Sequence, residues 1–233
     1  MGQCQMLLSI IIPVYNEELT IGNIIDRTKK AAYKLGLDTE IIVVDDRSND
    51  NSLLVASQRN VRVFTLKQHL GKGYALRAGF AKATGDLIVT IDSDGSHWPE
   101  ELHEVVAPVF CDQADLVIGS RYMNHKRVEA RKLNKFGVHI FNSLIALFTG
   151  VGGITDSQSG YRAMKREVLL AQKLTSGEYE IESEILVKAI KAGFRVAEVP
   201  ITFEQRTYGH SGVVPMVDGS KIFLSIIRAY LKV

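Results

Sequence analysis

The sequence predicts an α/β fold: a doubly wound, mostly parallel sheet with helices on both faces, in a single domain over residues 1–233. Three observations carry that prediction. Short apolar runs rich in β-branched residues alternate with helix-length segments from residue 7 to residue 119. The runs are nearly continuous in their hydrophobicity, as parallel strands buried on both faces are. Runs one, two and four end in carboxylates, at the edge where open α/β sheets take ligands.

Residues 7–14 form the first strand, and Pro13, which has no N–H, belongs at its end. Residues 20–35 place Ile21, Ile24, Ile25 and Thr28 on one helical face, with Gly36 as the stop. Residues 40–44 are a second strand ending in Asp45-Asp46-Arg47-Ser48, with Asp50 or Asn51 positioned to cap a short helix. Residues 61–66 are a third strand. Gly71-Lys72-Gly73 then opens a helix carrying Ala75, Leu76, Ala78 and Gly79. Residues 86–91 are a fourth strand, Pro99-Glu100-Glu101 starts a helix with proline early and acids in its first turn, and residues 115–119 are a fifth strand.

The second half is less regular. Residues 121–135 read as a basic loop, followed by a helix to about residue 149 and a Gly/Asp/Ser-rich turn region over 150–160. A short strand at 161–164, a helix at 181–192, a strand at 195–203 and a closing apolar helix at 217–231 complete the chain.

Composition excludes several classes. A hydrophobic share of 46 % suffices for one large core. A net charge of +2 gives no bulk attraction to nucleic acid. Two cysteines, Cys4 and Cys111, make no disulfide framework or zinc cluster and point to a reducing, cytoplasmic setting. The first six residues do not read as a secretory signal. The longest apolar stretch, 136–151, falls short of the roughly 20 residues that span a bilayer.

The chemistry gathers at the strand ends. Asp92-Ser93-Asp94 follows the fourth strand, and two hard oxygen donors there suit Mg²⁺ or Mn²⁺ completed by substrate phosphates. The competing reading is an Asp-rich turn bonding its own backbone. Asp45 and Asp46 suit ribose hydroxyls or base N–H groups, and equally suit caps and turns. No Gly-x-Gly-x-x-Gly follows the first strand, and Gly71-Lys72-Gly73 lacks the spacing and the Ser/Thr of a P-loop. His97 reads as structural. Glu182 and Glu184, one residue apart on a helix, cannot share a face; one is expected to pair with an arginine and the other to meet solvent.

Six motifs in order then build a resemblance. Pro13-Val14-Tyr15-Asn16-Glu17, Val43-Val44-Asp45-Asp46-Arg47-Ser48, Gly71-Lys72-Gly73-x-Ala75, Asp92-Ser93-Asp94, Gly119-Ser120-Arg121-Tyr122 and Asp156-Ser157-Gln158-Ser159-Gly160-Tyr161-Arg162 resemble family 2 glycosyltransferases of the GT-A fold. Glu182-x-Glu184, Glu198-Val199-Pro200-Ile201 and Phe203-x-x-Arg206-x-x-Gly209-x-Ser211 are similar to the polyprenol-phosphate (dolichol-phosphate) mannosyl- and glucosyltransferase branch.

That resemblance implies inverting transfer of a hexose, mannose favoured, from GDP-mannose or UDP-glucose to polyprenyl or dolichyl phosphate. Residues 1–120 would form the nucleotide-sugar half and 121–233 the acceptor half. By matching position it implies a nucleoside site at Pro13, Tyr15, Glu17, Val43 and Asp45. Lys72, Asp92, Ser93 and Asp94 would meet the donor diphosphate, and Asp92, Asp94 and Ser96 the metal. Ser96 stands where relatives often carry a Gln. Arg121, Arg131, Asp156 and Arg206, with Asp94, would act on the phosphates and the acceptor. A solvated basic loop is the other reading for Arg131 and Arg206, and a structural turn for Asp156. The closing helix, with Lys221, Arg228 and Lys232 beside Phe223 and Ile227, is either a core helix or one lying on a membrane. Peripheral attachment to the cytoplasmic face, or a membrane partner subunit, would bring the lipid acceptor within reach. The alternatives are a family 2 enzyme acting on a polysaccharide or another non-lipid acceptor, and an inactive nucleotide-binding module on the same fold.

Overall fold

The computed structural model describes residues 6–123, 132–206, 208 and 215–231, with the backbone alone for 132–135 and 215. Seven strands form one sheet among these residues: β1 (Leu7–Val14), β2 (Asp38–Asp45), β3 (Arg62–Thr65), β4 (Leu87–Thr90), β5 (Leu116–Ser120), β6 (Arg162–Lys165) and β7 (Val196–Pro200). Eight helices surround it: α1 (Ile21–Leu35), α2 (Ser52–Ser57), α3 (Lys72–Lys82), α4 (Leu102–Phe110), α5 (Lys132–Thr149), α6 (Arg166–Leu170), α7 (Ile181–Lys191) and α8 (Pro215–Leu231).

The strand order is β3-β2-β1-β4-β6-β5-β7. β1 runs parallel to β2 and β4, placing Val14 opposite Asp45 and Ile11 opposite Thr90. The departure from a uniformly parallel order is β6, which inserts antiparallel between β4 and β5 and puts Arg162 opposite both Thr90 and Ile118. A run of four residues has no periodicity that could announce its direction. β6 therefore carries the Ser159-Gly160-Tyr161 loop back to the carboxyl end of β4, beside Asp92.

Alternation along β1 divides the core into two layers. Ile10 and Ile12 pack with Ile21, Ile24 and Ile25 of α1 and with Leu102, Val105 and Val109 of α4. Ile11, on the opposite face, joins Leu76 of α3, Ile185 and Leu186 of α7, Ile145 of α5 and Ile226 of α8. Gly79 lets α3 lie close to the sheet, since a Cβ there would meet Ile11 Cγ2 at 2.5 Å. Gly36, at φ 67°, closes α1 as expected.

Boundaries differ in detail. Pro99–Glu101 is a 3₁₀ turn that leads into α4 rather than the first turn of it. The strand expected over 195–203 is limited to Val196–Pro200, and α6 was not foreseen. Asp50, not Asn51, closes the turn before α2: its Oδ1 accepts the Ser52 N–H (2.9 Å) and hydroxyl (2.5 Å).

Candidate functional site

The loops after β1 and β2 are stitched together. Asn16, at φ 54°, donates its N–H to Ser48 Oγ (3.0 Å), and the Asn49 N–H returns to Asn16 Oδ1 (2.8 Å). Glu17 is buried, its N–H on Ser52 Oγ (2.7 Å). Asp45 Oδ1 accepts the Ser48 N–H (3.1 Å), so the turn role for this residue is realised. Asp46 accepts the N–H groups of Leu70 (2.8 Å) and Gly71 (2.7 Å) and faces His69 Nδ1 at 2.7 Å. It thereby straps the Gly-Lys-Gly loop to β2. The ring of Tyr15 stacks on His69, centroids 3.9 Å apart and planes 16° apart. Nothing in the sequence announced His69. Pro13 and Val43 are buried within β1 and β2, beneath these loops.

The tip of β4 is the acidic centre. Asp92 Oδ1 lies 2.6 Å from Lys72 Nζ at the start of α3, and the same ammonium lies 2.8 Å from Glu182 Oε1. Burial pushes the Asp92 carboxyl up, but Lys72 outweighs it, with His97 and Arg121 adding, and the group stays below the usual carboxylate range. Burial pulls the Lys72 ammonium down, and Asp92 and Glu182 together hold it above its ordinary value. Asp94 Oδ1 accepts both the N–H (3.0 Å) and the hydroxyl (2.6 Å) of Ser96. Ser96 thus supports Asp94 from within the same turn. Ser93 is buried between the two acids in sequence. His97 Nδ1 stands 3.7 Å from Asp92 Oδ2, and neither of its ring nitrogens makes a hydrogen bond. Burial holds the His97 imidazole below its usual pKa, against the pull of Asp92.

Across the crevice, Arg121 grips the fully buried Asp156 by a two-pronged ion pair, Nε to Oδ2 at 2.7 Å and Nη2 to Oδ1 at 2.8 Å. Its backbone N–H adds a third bond (2.9 Å). Burial pulls the guanidinium down, but Asp156 holds its pKa above the ordinary value. Glu198 fixes the segment below by accepting the N–H groups of Thr155 (2.7 Å) and Asp156 (2.8 Å). The Arg121 guanidinium also lies 5.2 Å over the Phe203 ring. Arg206 pairs with Glu17, and its Nε is 3.9 Å from Asp94 Oδ2. The structure thus brings Tyr15, Glu17, Asp45, Lys72, Asp92, Asp94, Arg121, Asp156 and Arg206 to one end of the sheet. Arg131, Gly209 and Ser211 lie outside the described residues.

Two expectations change. Glu182 meets Lys72, not an arginine. Glu184 is buried, not solvent-facing: it accepts the Thr175 N–H (3.0 Å) and Ser176 N–H (2.8 Å) and pairs with Lys188 at 2.7 Å. The two acids point to different partners as the helix spacing requires, and the 170–180 segment, unread in the sequence, supplies the second set.

Among the described residues, no three His, Cys, Asp or Glu side chains form a ready-made metal cage. The donor chemistry of Asp92 and Asp94 fits Mg²⁺ or Mn²⁺, which keep waters and take substrate phosphates around one or two carboxylates. The wall beside them is kept thin: a Cβ on Gly160 would lie 2.6 Å from Asp92 Oδ2 and 2.7 Å from Lys72 Nζ.

Residues 9–171 match the model of the family described as glycosyl transferase family 2. The chain is 32 % identical to a UDP-N-acetylglucosamine–dolichyl-phosphate N-acetylglucosaminyltransferase of Methanococcus voltae, over 95 % of each chain. It is 35 % identical to a dolichol-phosphate mannosyltransferase of Pyrococcus furiosus, over 88 % of this chain and 59 % of that one. An uncharacterised Methanocaldococcus jannaschii protein is 33 % identical over 94 % of this chain and 90 % of its own. Glucosyl-3-phosphoglycerate synthase from Mycobacterium tuberculosis, solved with Mn²⁺ and UDP-glucose, superposes with a TM-score of 0.77 at 24 % identity, covering 97 % of this chain and 79 % of that one. At that identity the likeness speaks for the fold.

Proposed function

This chain belongs to glycosyl transferase family 2, and we propose that it transfers a hexose, with inversion and with the help of a divalent ion, from a nucleotide sugar to a polyprenyl phosphate. It is a glycosyltransferase by family and by its relatives. The observation that carries the finer reading is the pairing of an acidic β4 tip with three cations on the same sheet edge, Lys72, Arg121 and Arg206. Relatives named for dolichyl-phosphate acceptors support the choice of acceptor.

The chain's own residues divide the work. Tyr15, Glu17 and Asp45, above Pro13 and Val43, receive the nucleoside. Asp92 and Asp94 would hold a divalent ion, with Ser96 steadying Asp94 and Ser93 between them. When bound, that ion neutralises charge building on the departing nucleoside diphosphate. Lys72, at the N-terminus of α3, adds a positive charge and the helix dipole to the same phosphates. The transition state is oxocarbenium-like at the sugar, so charge stabilisation at the leaving group dominates. A phosphate acceptor arrives already anionic and calls for no strong general base. Arg121, locked by Asp156, presents a preorganised cation for it, with Arg206 and Arg131 as further phosphate contacts.

Access to a lipid falls to the C-terminal half. α8 packs on α5 and α7, burying Ile222, Ile226 and Ala229. It leaves Met216, Val217, Phe223 and Leu224 exposed, and α5 leaves Phe136, Ile140 and Leu147 exposed. No described helix is long and apolar enough to cross a membrane. We assign this face to peripheral contact with the cytoplasmic side of a bilayer, alone or beside a membrane partner subunit.

The test is an acceptor panel. Labelled GDP-mannose, UDP-glucose and UDP-N-acetylglucosamine are each incubated with Mn²⁺ and either polyprenyl phosphate, an oligosaccharide or 3-phosphoglycerate. GDP-mannose is the donor the sequence resemblance favours, and the UDP sugars cover the relatives' and neighbours' donors. Label in the lipid product alone is the expected result. Label on a non-lipid acceptor alone, or donor binding without turnover on any acceptor, contradicts the proposal.

A further inference from the structure

Glu182 is a buried acid with no role in the chemistry above. It is 3 % exposed on the first turn of α7, and neither carboxylate oxygen makes a well-directed hydrogen bond. Its ion-pair partner is Lys72, 2.8 Å from Oε1, and Lys72 is at the same time 2.6 Å from Asp92. One ammonium serves two carboxylates in a place with little water.

The position of Glu182 is also fixed with unusual care. Its backbone carbonyl accepts Arg162 Nη1 at 2.6 Å. Arg162 is itself 1 % exposed and donates as well to the carbonyls of Ser157 (2.7 Å) and Ser159 (2.8 Å). The next residue in that loop, Gly160, lies against both Asp92 and Lys72. One buried guanidinium therefore ties α7 to the wall of the acidic centre.

A lysine paired with Asp92 alone would oppose metal binding. Drawing Asp92 toward an ion would leave the ammonium half-desolvated and without an anion, which is costly. A second carboxylate removes that obstacle. We infer that Glu182 is a positioning residue that retains Lys72 at the mouth of α3 when Asp92 exchanges its ion pair for the divalent cation of the donor diphosphate. The inference rests on the proposed metal-assisted reaction and adds a residue to it. It also explains why a helix far along the chain places a second acid on the lysine that Asp92 already holds.

The experiment is a double-mutant cycle on Mn²⁺ affinity, read by the electron paramagnetic resonance signal of free Mn²⁺ with saturating GDP, and again with UDP. Parent protein, Glu182→Gln, Lys72→Met and the double variant are compared after circular dichroism has established that each is folded. Glu182→Gln should weaken Mn²⁺ binding about tenfold, the scale of a lost supporting contact to a metal ligand. In the Lys72→Met background the same change should alter affinity by less than about twofold, since the contact it serves is gone. An unchanged affinity in Glu182→Gln overturns the inference. An equal loss in both backgrounds overturns it too, because Glu182 would then act by its charge alone. Glu182→Asp keeps the charge with a shorter reach and stands in should the Gln variant not fold; a loss smaller than tenfold is expected, and an affinity equal to the parent's overturns the inference. A parent that takes up no Mn²⁺ with either nucleotide refutes the metal-assisted reading itself, a result distinct from a parent that binds and a variant that binds equally.

Discussion

At the scale of single residues, Asp92 and Asp94 differ in how they are held. Asp92 is restrained by an ion pair with Lys72, and Asp94 by its own turn through Ser96. Replacing either carboxylate by its amide removes a charge without changing shape. Asp92→Asn and Asp94→Asn should each lower transfer by about 100-fold or more. Both should retain the parent's circular dichroism spectrum. Activity near the parent's in either variant would remove that acid from the metal site.

Asp156 makes a different prediction. It is fully buried beneath Arg121 and accepts three bonds from that one residue. Asp156→Ala strands a guanidinium that is only 18 % exposed, and loss of one partner of such a pair costs about 3 kcal/mol or more. Urea unfolding should show that loss. A stability within 0.5 kcal/mol of the parent's, roughly the scatter of ordinary surface changes, would mean that Arg121 finds water or another anion.

At the scale of elements, the strands of the first half were readable because β-branched and apolar residues recur between segments with clear turn or helix chemistry, most plainly in the eight-residue β1 and β2. β1 occupies the residues its hydrophobicity marks, and α1 stops at the glycine that suits a left-handed cap. β6 was marked as a short strand to within one residue, but its antiparallel direction is set by pairing with β4 and β5, and the five-residue α6 carries no pattern of its own. Likewise the acids after β4 were visible as a motif, whereas their partners were not. Lys72 and Glu182 are 110 positions apart, and only the tertiary fold makes them neighbours. His69 on Tyr15 and Glu198 under Asp156 are contacts of the same long-range kind.

The opposite edge of the sheet gives an element-scale test of stability. Glu40 on β2 accepts Ser9 Oγ (2.6 Å), the Thr84 N–H (2.7 Å) and the Thr84 hydroxyl (2.7 Å), and pairs with Arg62. Burial pushes its carboxyl up, but these donors outweigh it and bring it from 4.5 down to about 2. An acid with a depressed folded pKa adds stability above its unfolded pKa and loses that contribution as pH falls through the folded one. Glu40→Gln should therefore cost at most about 3 kcal/mol near neutrality. The deficit against the parent should shrink between pH 4.5 and pH 2. A deficit independent of pH would show that the hydrogen bonds matter and the charge does not.

At the scale of the whole molecule, acids from the loops after β1 and β4 meet cations that come later in the chain, Arg121 after β5 and Arg206 after β7. They meet because β6 and β7 extend the sheet beyond β4, and Arg206 completes the closure by reaching Glu17 in the loop after β1. α5 and α8, which pack on each other, both leave large apolar side chains exposed. Phe223→Asp with Leu224→Asp should reduce sedimentation with anionic liposomes and slow transfer to polyprenyl phosphate, with nucleotide affinity unchanged. Undiminished sedimentation would place the lipid contact on another surface.

The most direct measurement is the incorporation of labelled hexose into organic-extractable polyprenyl phosphate product by the purified chain, with Mn²⁺ and then with excess EDTA. Labelled lipid is expected with Mn²⁺, lost on chelation and restored when Mn²⁺ is returned. Lipid labelling at the same rate in EDTA, or its absence under every donor and metal tried, would contradict it.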